Sequence, residues 1–184
     1  MIPARVQVRP AATSDLDAIL ALDRVTENAP HWPPSAYAAI LDAAGAEPAR
    51  CLFAALQDEL LAGFAVGMIQ PSSIATNAGA GRVAELESVV VSAGARRAGI
   101  GRALCACVFD WCRSLGATEL VLEVRASSAG AIALYAALGF TQTGIRPRYY
   151  RDPEDNAVLM RLNLNRDPGA APSTRQTIAG HTAS

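Results

Sequence analysis

The sequence contains no lysine, and arginine supplies all 16 of its basic residues. A Walker-type phosphate loop ends in Gly-Lys-Ser/Thr, because the lysine ammonium reaches the nucleotide phosphates. The lack of lysine therefore excludes that class of nucleotide site.

Histidine and cysteine are also scarce. The two histidines, His31 and His181, stand far apart in the chain. The four cysteines are Cys51, Cys105, Cys107 and Cys112. Their spacing matches no zinc pattern, so we expect neither a metal site nor a His-based triad. We interpret the cysteines as small buried hydrophobic side chains in a reducing compartment.

No apolar run approaches the roughly 18–20 residues that a membrane span needs. The opening residues, MIPARVQVRPA, lack the continuous apolar stretch of a signal peptide. A net charge of −1 gives no bulk attraction to nucleic acid. We expect a soluble cytoplasmic protein, monomeric or homodimeric, with no nucleic-acid or membrane partner.

Length and composition indicate one domain over residues 1–165. The remaining residues, 166–184, are polar, contain proline and glycine and show no periodicity. Such a composition cannot bury enough apolar surface to order itself, so this tail is predicted to be disordered.

Residue patterns in the first half predict strands and helices in alternation. Thr13 or Ser14 is expected to cap the first helix, and prolines open the second. The predicted elements are a strand over 5–11, a helix over 13–25, a helix over 31–45, two strands within 49–70 that meet at a turn near 57–59, and a loop of small residues over 72–81.

The second half continues with a strand over 84–91, a helix from Gly99 to Gly116, a strand over 118–126, a helix over 129–140 and a strand over 156–165, with a further strand possible around 140–145. Spacing assigns the third helix an apolar stripe of Ile100, Leu104, Cys107, Val108, Trp111 and Leu115. Along the strand 118–126, Leu120, Leu122 and Val124 share one face, and Val121, Glu123 and Arg125 share the other.

The junction VVVSAGARRAGIGRAL, residues 89–104, runs from a strand through a glycine-containing turn into the third helix. The start of a helix presents unpaired backbone N–H groups and partial positive charge, which suit a phosphate group. Gly99 and Gly101 lack the Cβ atoms that would keep a ligand away from the backbone. A dinucleotide fingerprint is excluded, because it needs three glycines after the first strand of the fold.

Within this junction, RRAGIG resembles the Q/R-x-x-G-x-G/A signature of the GNAT N-acetyltransferase superfamily. Residues 122–140 and 146–164 are similar to two blocks of its bacterial RimI-type ribosomal-protein-alanine N-acetyltransferases, and HWPPSAY (31–37) resembles their substrate-side helix. The resemblance covers about residues 5–164. It implies an α/β fold with a splayed mixed sheet of six to seven strands, flanked by about four helices.

The resemblance also implies an acetyl-CoA site between the fourth and fifth strands. Val89, Val90 and Val91 would pair with the pantetheine through their backbones. The pyrophosphate would lie on Arg96, Arg97, Ala98, Gly99, Ile100, Gly101, Arg102 and Ala103. Ser128 stands where the family has an asparagine that contacts the cofactor, and its shorter side chain puts that contact in doubt.

For the chemistry, the resemblance implies Glu123 as the base and Tyr135 as the acid for the leaving thiolate. Glu85 and Glu87 share a face of the fourth strand, so either is an alternative base or a binding group for the acceptor amine. The alternatives are that Glu123 pairs with Arg125 or another arginine at the rim of the sheet, and that Tyr135 serves to pack the core.

For the acceptor, we expect Tyr149 and Tyr150 either to clamp the peptide from a loop, RPRYY (146–150), over the site or to anchor the last hairpin. Trp32 and Tyr37 are expected either in the same cleft or in the core. The implied activity is acetylation of a protein amino terminus, that of a ribosomal-protein alanine. Two alternatives stay open: acetylation of a small amine or antibiotic, and a non-catalytic acyl-CoA-binding regulatory domain.

Overall fold

A computed structural model of the chain describes residues 6–42, 47–70 and 82–165. The strands are β1 (Val6–Pro10), β2 (Arg50–Gln57), β3 (Leu60–Ile69), β4 (Arg82–Val91), β5 (Ala117–Arg125), β6 (Thr141–Arg151) and β7 (Glu154–Asn163). The helices are α1 (Leu16–Val25), α2 (Pro34–Asp42), α3 (Ile100–Ser114) and α4 (Ala129–Ala137). All seven strands join one sheet, in the order β1-β2-β3-β4-β5-β7-β6.

The single parallel pairing in this part of the chain is between β4 and β5. Parallel neighbours need a crossover connection, which α3 provides by returning the chain across the sheet. The third helix therefore begins at the end of β4, beside the middle of the sheet.

One face of the sheet carries the larger core, under α3 and α4. Leu104, Cys105 and Val108 of α3 pack there with Leu120 and Leu122 of β5. The predicted stripe of α3 was partly wrong. The buried positions of the helix are Ile100, Leu104, Cys105, Val108, Phe109 and Cys112, whereas Cys107, Trp111 and Leu115 are only partly buried.

The other face carries a smaller core under α1 and α2. Its buried side chains are Ile19, Ala29, Tyr37, Leu52, Phe64, Val66 and Val90. None of these lies beyond β4 in the order of the sheet. Helical cover on this face therefore stops at β4, where the functional site begins.

Most predicted elements are confirmed within a few residues. The second helix is shorter than expected, because it begins at Pro34 and ends at Asp42. The strand expected around 140–145 extends to Arg151. The predicted loop 72–81 and tail 166–184 lie outside the described residues.

Three of the four cysteines are buried free thiols, and Cys107 is partly buried. Burial raises the pKa of Cys105 and of Cys112 to about 12, so both thiols stay protonated and unreactive at neutral pH. Within residues 6–42, 47–70 and 82–165, His, Cys, Asp and Glu side chains form no group that could hold a metal. No helix in these ranges is long and apolar enough to cross a membrane.

Candidate active site

The sheet opens between its two central strands. Pairing of β4 with β5 runs from Arg82 to Glu85 and stops at the pair Glu85–Val121. Beyond that pair, β4 continues on β3 to Val91 and β5 continues on β7 to Arg125. The two strands therefore diverge, and a gap lies between their carboxyl-terminal halves.

The gap exposes backbone groups of β4. Ser92 donates its N–H to the Ala62 carbonyl on the β3 side. Successive residues of a strand point their N–H and C=O groups to opposite sides. The groups of Val90 therefore face β3, and those of Val89 and Val91 face the gap, free to pair with an extended ligand.

A bulge in β4 sets the side-chain directions along this edge. The register on β3 pairs Val66 with Ser88 and Gly67 with Leu86, so Glu87 is the extra residue. Val89 and Val91 consequently pack against the α3 core, whereas Val90 enters the core under α1 and α2. Glu85 and Glu87 share the α1–α2 face by ordinary alternation, and the bulge changes the faces of the residues that follow.

The end of β4 leads into the first turn of α3 through two left-handed residues. Arg97 has φ of 63° and Gly99 has φ of 81°. The first intrahelical bond runs from the Ala103 N–H to the Gly99 carbonyl, so the preceding N–H groups have no helical acceptor. No described atom lies within 4 Å of where a Cβ on Gly99 would stand. This open, bare backbone fits a pyrophosphate.

Arginines surround the junction. Arg96, Arg97 and Arg102 are exposed. Within the described residues, their guanidinium groups make two weak hydrogen bonds to backbone carbonyls: Arg96 Nε to Val91 O at 3.4 Å and Arg102 Nη2 to Ala137 O at 3.5 Å. All three side chains can therefore turn toward a bound anion.

Tyr135 projects from α4 toward the same gap. The residue is 8% exposed and packs edge-on against Phe140. Its hydroxyl has no hydrogen-bond partner among the described residues. Every fully buried polar side-chain atom of these residues does have a partner, so the hydroxyl is not one of the fully buried atoms. The hydroxyl oxygen therefore keeps some accessible surface. Burial raises its pKa well above the ordinary value, so it remains a proton donor.

The turn before α4 is held by a residue that sequence reasoning missed. Asp155 of β7 accepts hydrogen bonds from Ser127 N at 3.1 Å and Ser127 Oγ at 2.7 Å. Ser128 occupies the position before Ala129 without a side-chain capping bond, which leaves its hydroxyl available to a ligand. Asp155 thus fixes the start of the helix that carries Tyr135.

Three carboxylates meet on the uncovered face beside the gap. Glu123 pairs with Arg146, and Glu87 forms two bonds with Arg50, at 2.9 and 3.1 Å. Among the described residues, the only hydrogen bond to the Glu85 carboxylate comes from the Gln70 side-chain amide, at 3.4 Å. Burial raises the pKa of Glu85, and the nearby charges of Glu87 and Glu123 add to the effect. The cluster therefore holds three carboxylates and two guanidinium groups.

The aromatic pair predicted on a loop lies instead within β6. RPRYY is part of that strand, and the register on β7 breaks between Arg146 and Tyr150 because Asn156 accepts a bond from Arg148 N at 2.9 Å. Tyr149 meets Tyr150 edge-on at 5.2 Å, and the nearby Glu123 carboxylate raises the Tyr149 pKa. The bulge thus supplies two of the groups around Glu123.

Arg125 holds this hairpin in place. Its guanidinium carbon lies 4.2 Å from the centre of the Tyr150 ring, and its nitrogens bond Asp152 O and Pro153 O, each at 3.0 Å. Tyr150 is only partly exposed beneath it. The β6–β7 hairpin is therefore fixed against the end of β5.

The fold places Trp32 and Tyr37 in different environments, although their rings are in contact. Tyr37 is fully buried, and its hydroxyl donates to the Asp23 carboxylate at 2.9 Å, so it is a core residue rather than part of the cleft. Trp32 rests on its ring at 5.5 Å and lines a cavity beside Arg50. Of the two residues, only Trp32 lines a cavity.

Residues 16–140 match the model of the Acetyltransferase (GNAT) family. The chain is 42% identical, over 84 residues, to the [ribosomal protein bS18]-alanine N-acetyltransferase of Escherichia coli K12; the match covers 45% of this chain and 57% of that protein. The chain thus spans little more than half the length of this curated relative.

Two further comparisons extend over most of the chain. The aminoglycoside N(6')-acetyltransferase type 1 of Klebsiella aerogenes is 31% identical over 153 residues, covering 79% of this chain and 95% of that one. The crystal structure of the ribosomal-protein-S18-alanine N-acetyltransferase from Escherichia coli superposes with a TM-score of 0.70 at 29% identity, covering 89% and 96% of the two chains.

Proposed function

Because the chain belongs to the GNAT acetyltransferase family, we propose that it transfers the acetyl group of acetyl-CoA to the α-amino group of a protein amino terminus. The acceptor we propose is the N-terminal alanine of a small-subunit ribosomal protein, in the cytoplasm. The observation that carries the proposal is the gap between β4 and β5, which is bordered by the Gly99 junction, the Tyr135 hydroxyl and three glutamates.

The residues around the gap fit acetyl-CoA. Backbone groups of the Val89–Val91 edge would pair with the pantetheine arm, and N–H groups from Arg97 to Ala103 would hold the pyrophosphate, with Arg96, Arg97 and Arg102 adding positive charge. The bound molecule supplies the thioester-activated acetyl group. Ser128 would offer one hydroxyl near the start of α4.

The acceptor must lose a proton to become nucleophilic. An α-amino group has a pKa near 7.7–8.0, so part of it is already neutral at cellular pH. Glu123, two residues beyond the last β4–β5 pair, is our proposed proton acceptor, and its ion pair with Arg146 fixes its orientation. Glu85 is the alternative, since it lacks a guanidinium partner and its pKa is raised.

The departing thiolate needs a proton donor. The Tyr135 hydroxyl suits this role, because burial keeps it protonated and no described residue engages it. A protonated phenol can donate to a thiolate, whose conjugate thiol has a reference pKa near 8.5. Asp155 supports this role indirectly by holding the turn that begins α4.

A small amine is the second candidate acceptor, favoured by the near full-length similarity to an aminoglycoside acetyltransferase. The charges of the site weigh against a polycation. Guanidinium groups already neutralise Glu87 and Glu123, and only Glu85 keeps an unpaired negative charge within the described cluster. One such charge suits a single ammonium group.

An acceptor panel tests the proposal. Purified protein is given acetyl-CoA with hexapeptides that differ only at residue 1 (alanine, serine, methionine or proline), beside a panel of aminoglycosides and polyamines. Thiol release and product mass are measured. We expect the alanine peptide to give the highest kcat/KM and its acetyl group to sit on the α-nitrogen.

Two results would contradict the proposal. Faster acetylation of an aminoglycoside than of every peptide would make the chain a small-molecule enzyme. Tight acetyl-CoA binding with no thiol release for any acceptor would make it a binding domain.

A further inference from the structure

A cavity of about 340 Å³ lies beside the three-glutamate cluster, between α2 and the start of β2. We call it the side cavity; its walls include Trp32, Ala36, Ala39, Ile40, Pro48 and Arg50. The reaction described above uses none of the first five. The size falls at the lower end of the range of ligand pockets.

The two charged side chains that line the side cavity, Arg50 and Glu47, each have a partner of opposite charge. Arg50 is occupied by Glu87 through two hydrogen bonds. Glu47, which also lines the cavity, lies 3.8 Å from Arg82. The rest of its wall is aromatic or aliphatic. A charged occupant would lose its hydration without gaining a partner, so the chemistry selects an apolar group.

The aromatic wall is held in place from below. Trp32 rests on Tyr37, whose hydroxyl is tied to the buried Asp23 carboxylate. Tyr37 in turn meets Phe64 of β3 edge-on at 5.8 Å. Core residues therefore hold the Trp32 ring in the wall of the cavity.

Arg50 connects the side cavity to the reactive face. Its side chain forms part of the cavity wall and crosses the sheet from β2 to Glu87 on β4, next to Glu85. A ligand that fills the cavity while its amine sits among the glutamates must therefore pass Arg50. An extended polypeptide does this, because it advances about 3.3–3.6 Å per residue and presents side chains along its length.

We propose that the side cavity binds an apolar side chain of the acceptor polypeptide, a few residues after the reactive amino terminus. This inference rests on the proposed function. It makes Trp32, Ala39 and Ile40 determinants of acceptor specificity and assigns them no part in the chemical step.

A leucine scan tests the proposal. Hexapeptides begin with alanine, are otherwise serine and glycine, and carry one leucine at position 2, 3, 4 or 5. We expect one of these positions to lower KM about tenfold relative to the leucine-free peptide, with kcat little changed, because the leucine buries its side chain.

Filling the cavity should remove that advantage. Ala39 is exposed on α2, so Ala39→Phe places a ring in the cavity without disturbing the core. The variant should bind the leucine peptide no better than the leucine-free one and keep its rate on the latter. Ser35→Phe, an exposed position on the same helix outside the lining, should behave like the wild type, and so should Ala39→Ser.

The outcomes separate the two proposals. Peptides acetylated without any preference for leucine, or a preference that survives in Ala39→Phe, would overturn the side-cavity assignment alone. Failure of every peptide, with turnover of a small amine, would overturn the proposed function and this inference with it.

Discussion

At the scale of single residues, Tyr135 and Glu85 are held in states that packing alone would not favour. Tyr135 sits in the apolar core with a hydroxyl that no described residue engages. Glu85 is partly buried near Glu87 and Glu123. Each of those two carboxylates has an ion pair with an arginine, and Glu85 has none within the described residues. Unfavourable polar groups of this kind are typical of functional sites, where substrate supplies the missing partner.

Tyr135→Phe removes the hydroxyl and keeps the ring against Phe140. We expect kcat to fall about 10²-fold or more, the size typical of lost general-acid catalysis, with an unchanged Kd for acetyl-CoA. Steady-state kinetics and calorimetry provide the two numbers. An unaltered kcat would remove the tyrosine from the chemical step.

Glu85→Gln should make the protein more stable and less active. The folded-state pKa of Glu85 is raised, so its contribution to stability is present below its unfolded pKa and is lost as pH rises through the folded value. Substitution by glutamine should therefore stabilise the fold more at pH 7 than at pH 4. Denaturant unfolding at both pH values measures this difference.

Glu87→Gln is the matched control, because Glu87 lies two residues away and is paired with Arg50. It should give no such gain at pH 7. Equal stability of Glu85→Gln and the wild type at both pH values would contradict the assigned burial cost. A decrease of kcat in Glu85→Gln larger than that in Glu123→Gln would make Glu85 the base.

At the scale of elements, the site is produced by the point where two strands part. The bulge at Glu87 reverses the side-chain directions of β4, and the pairing with β5 stops at Glu85. α3 then starts at the end of β4, so its free N–H groups lie at one end of the gap. The exposed edge of β4 and the start of α3 therefore lie close enough together to contact the same ligand.

Gly99→Glu tests the helix start. The substitution places a carboxylate where a phosphate is proposed to bind, in space that is open in this structure. Acetyl-CoA affinity should fall at least tenfold through charge repulsion. Gly99→Ala is the control. It loses the same folding stability, because a residue with a Cβ is strained at a φ of 81°, but it adds no charge.

Both variants are compared by calorimetry and by thermal unfolding. We expect similar losses of stability and a much larger loss of affinity in the glutamate variant. If alanine weakens binding as much as glutamate does, backbone strain rather than charge governs the site.

At the scale of the whole molecule, the described strands and helices all end by Asn163, and Leu164 closes the fold. Leu164 is 3% exposed, its N–H donates to Thr118 O at 2.9 Å, and its carbonyl accepts from Arg113 Nε at 3.1 Å. Leu164, next to the end of the domain predicted over residues 1–165, therefore has a structural role.

A chain ending at Asn165 should keep the unfolding free energy and the kcat of the full-length protein. In that shortened chain, Leu164→Ala should cost about 2–3 kcal/mol, because it removes a buried side chain. Denaturant unfolding checks both. A large loss of stability on removal of residues 166–184 alone would show that the domain extends further.

The sequence by itself determined the family and most of the elements. Short-range signals carried this information: the glycines and arginines of residues 96–101, the alternation along β5 and the turn near residues 57–59. Backbone preferences and the periodic spacing of apolar side chains depend on residues that are close in the chain, so they can be recognised in the sequence alone. The fold confirmed the separation of Leu120, Leu122 and Val124 from Glu123.

Only the tertiary structure decided which groups share the site. Arg146 meets Glu123 from 23 residues away, Arg50 meets Glu87 from 37 residues away, and Asp155 holds Ser127 from 28 residues away. It also assigned Tyr37 to the core and Trp32 to a cavity wall. These pairings depend on strand register and on the bulge at Glu87, which arise from packing across the whole sheet and leave no local pattern in the sequence.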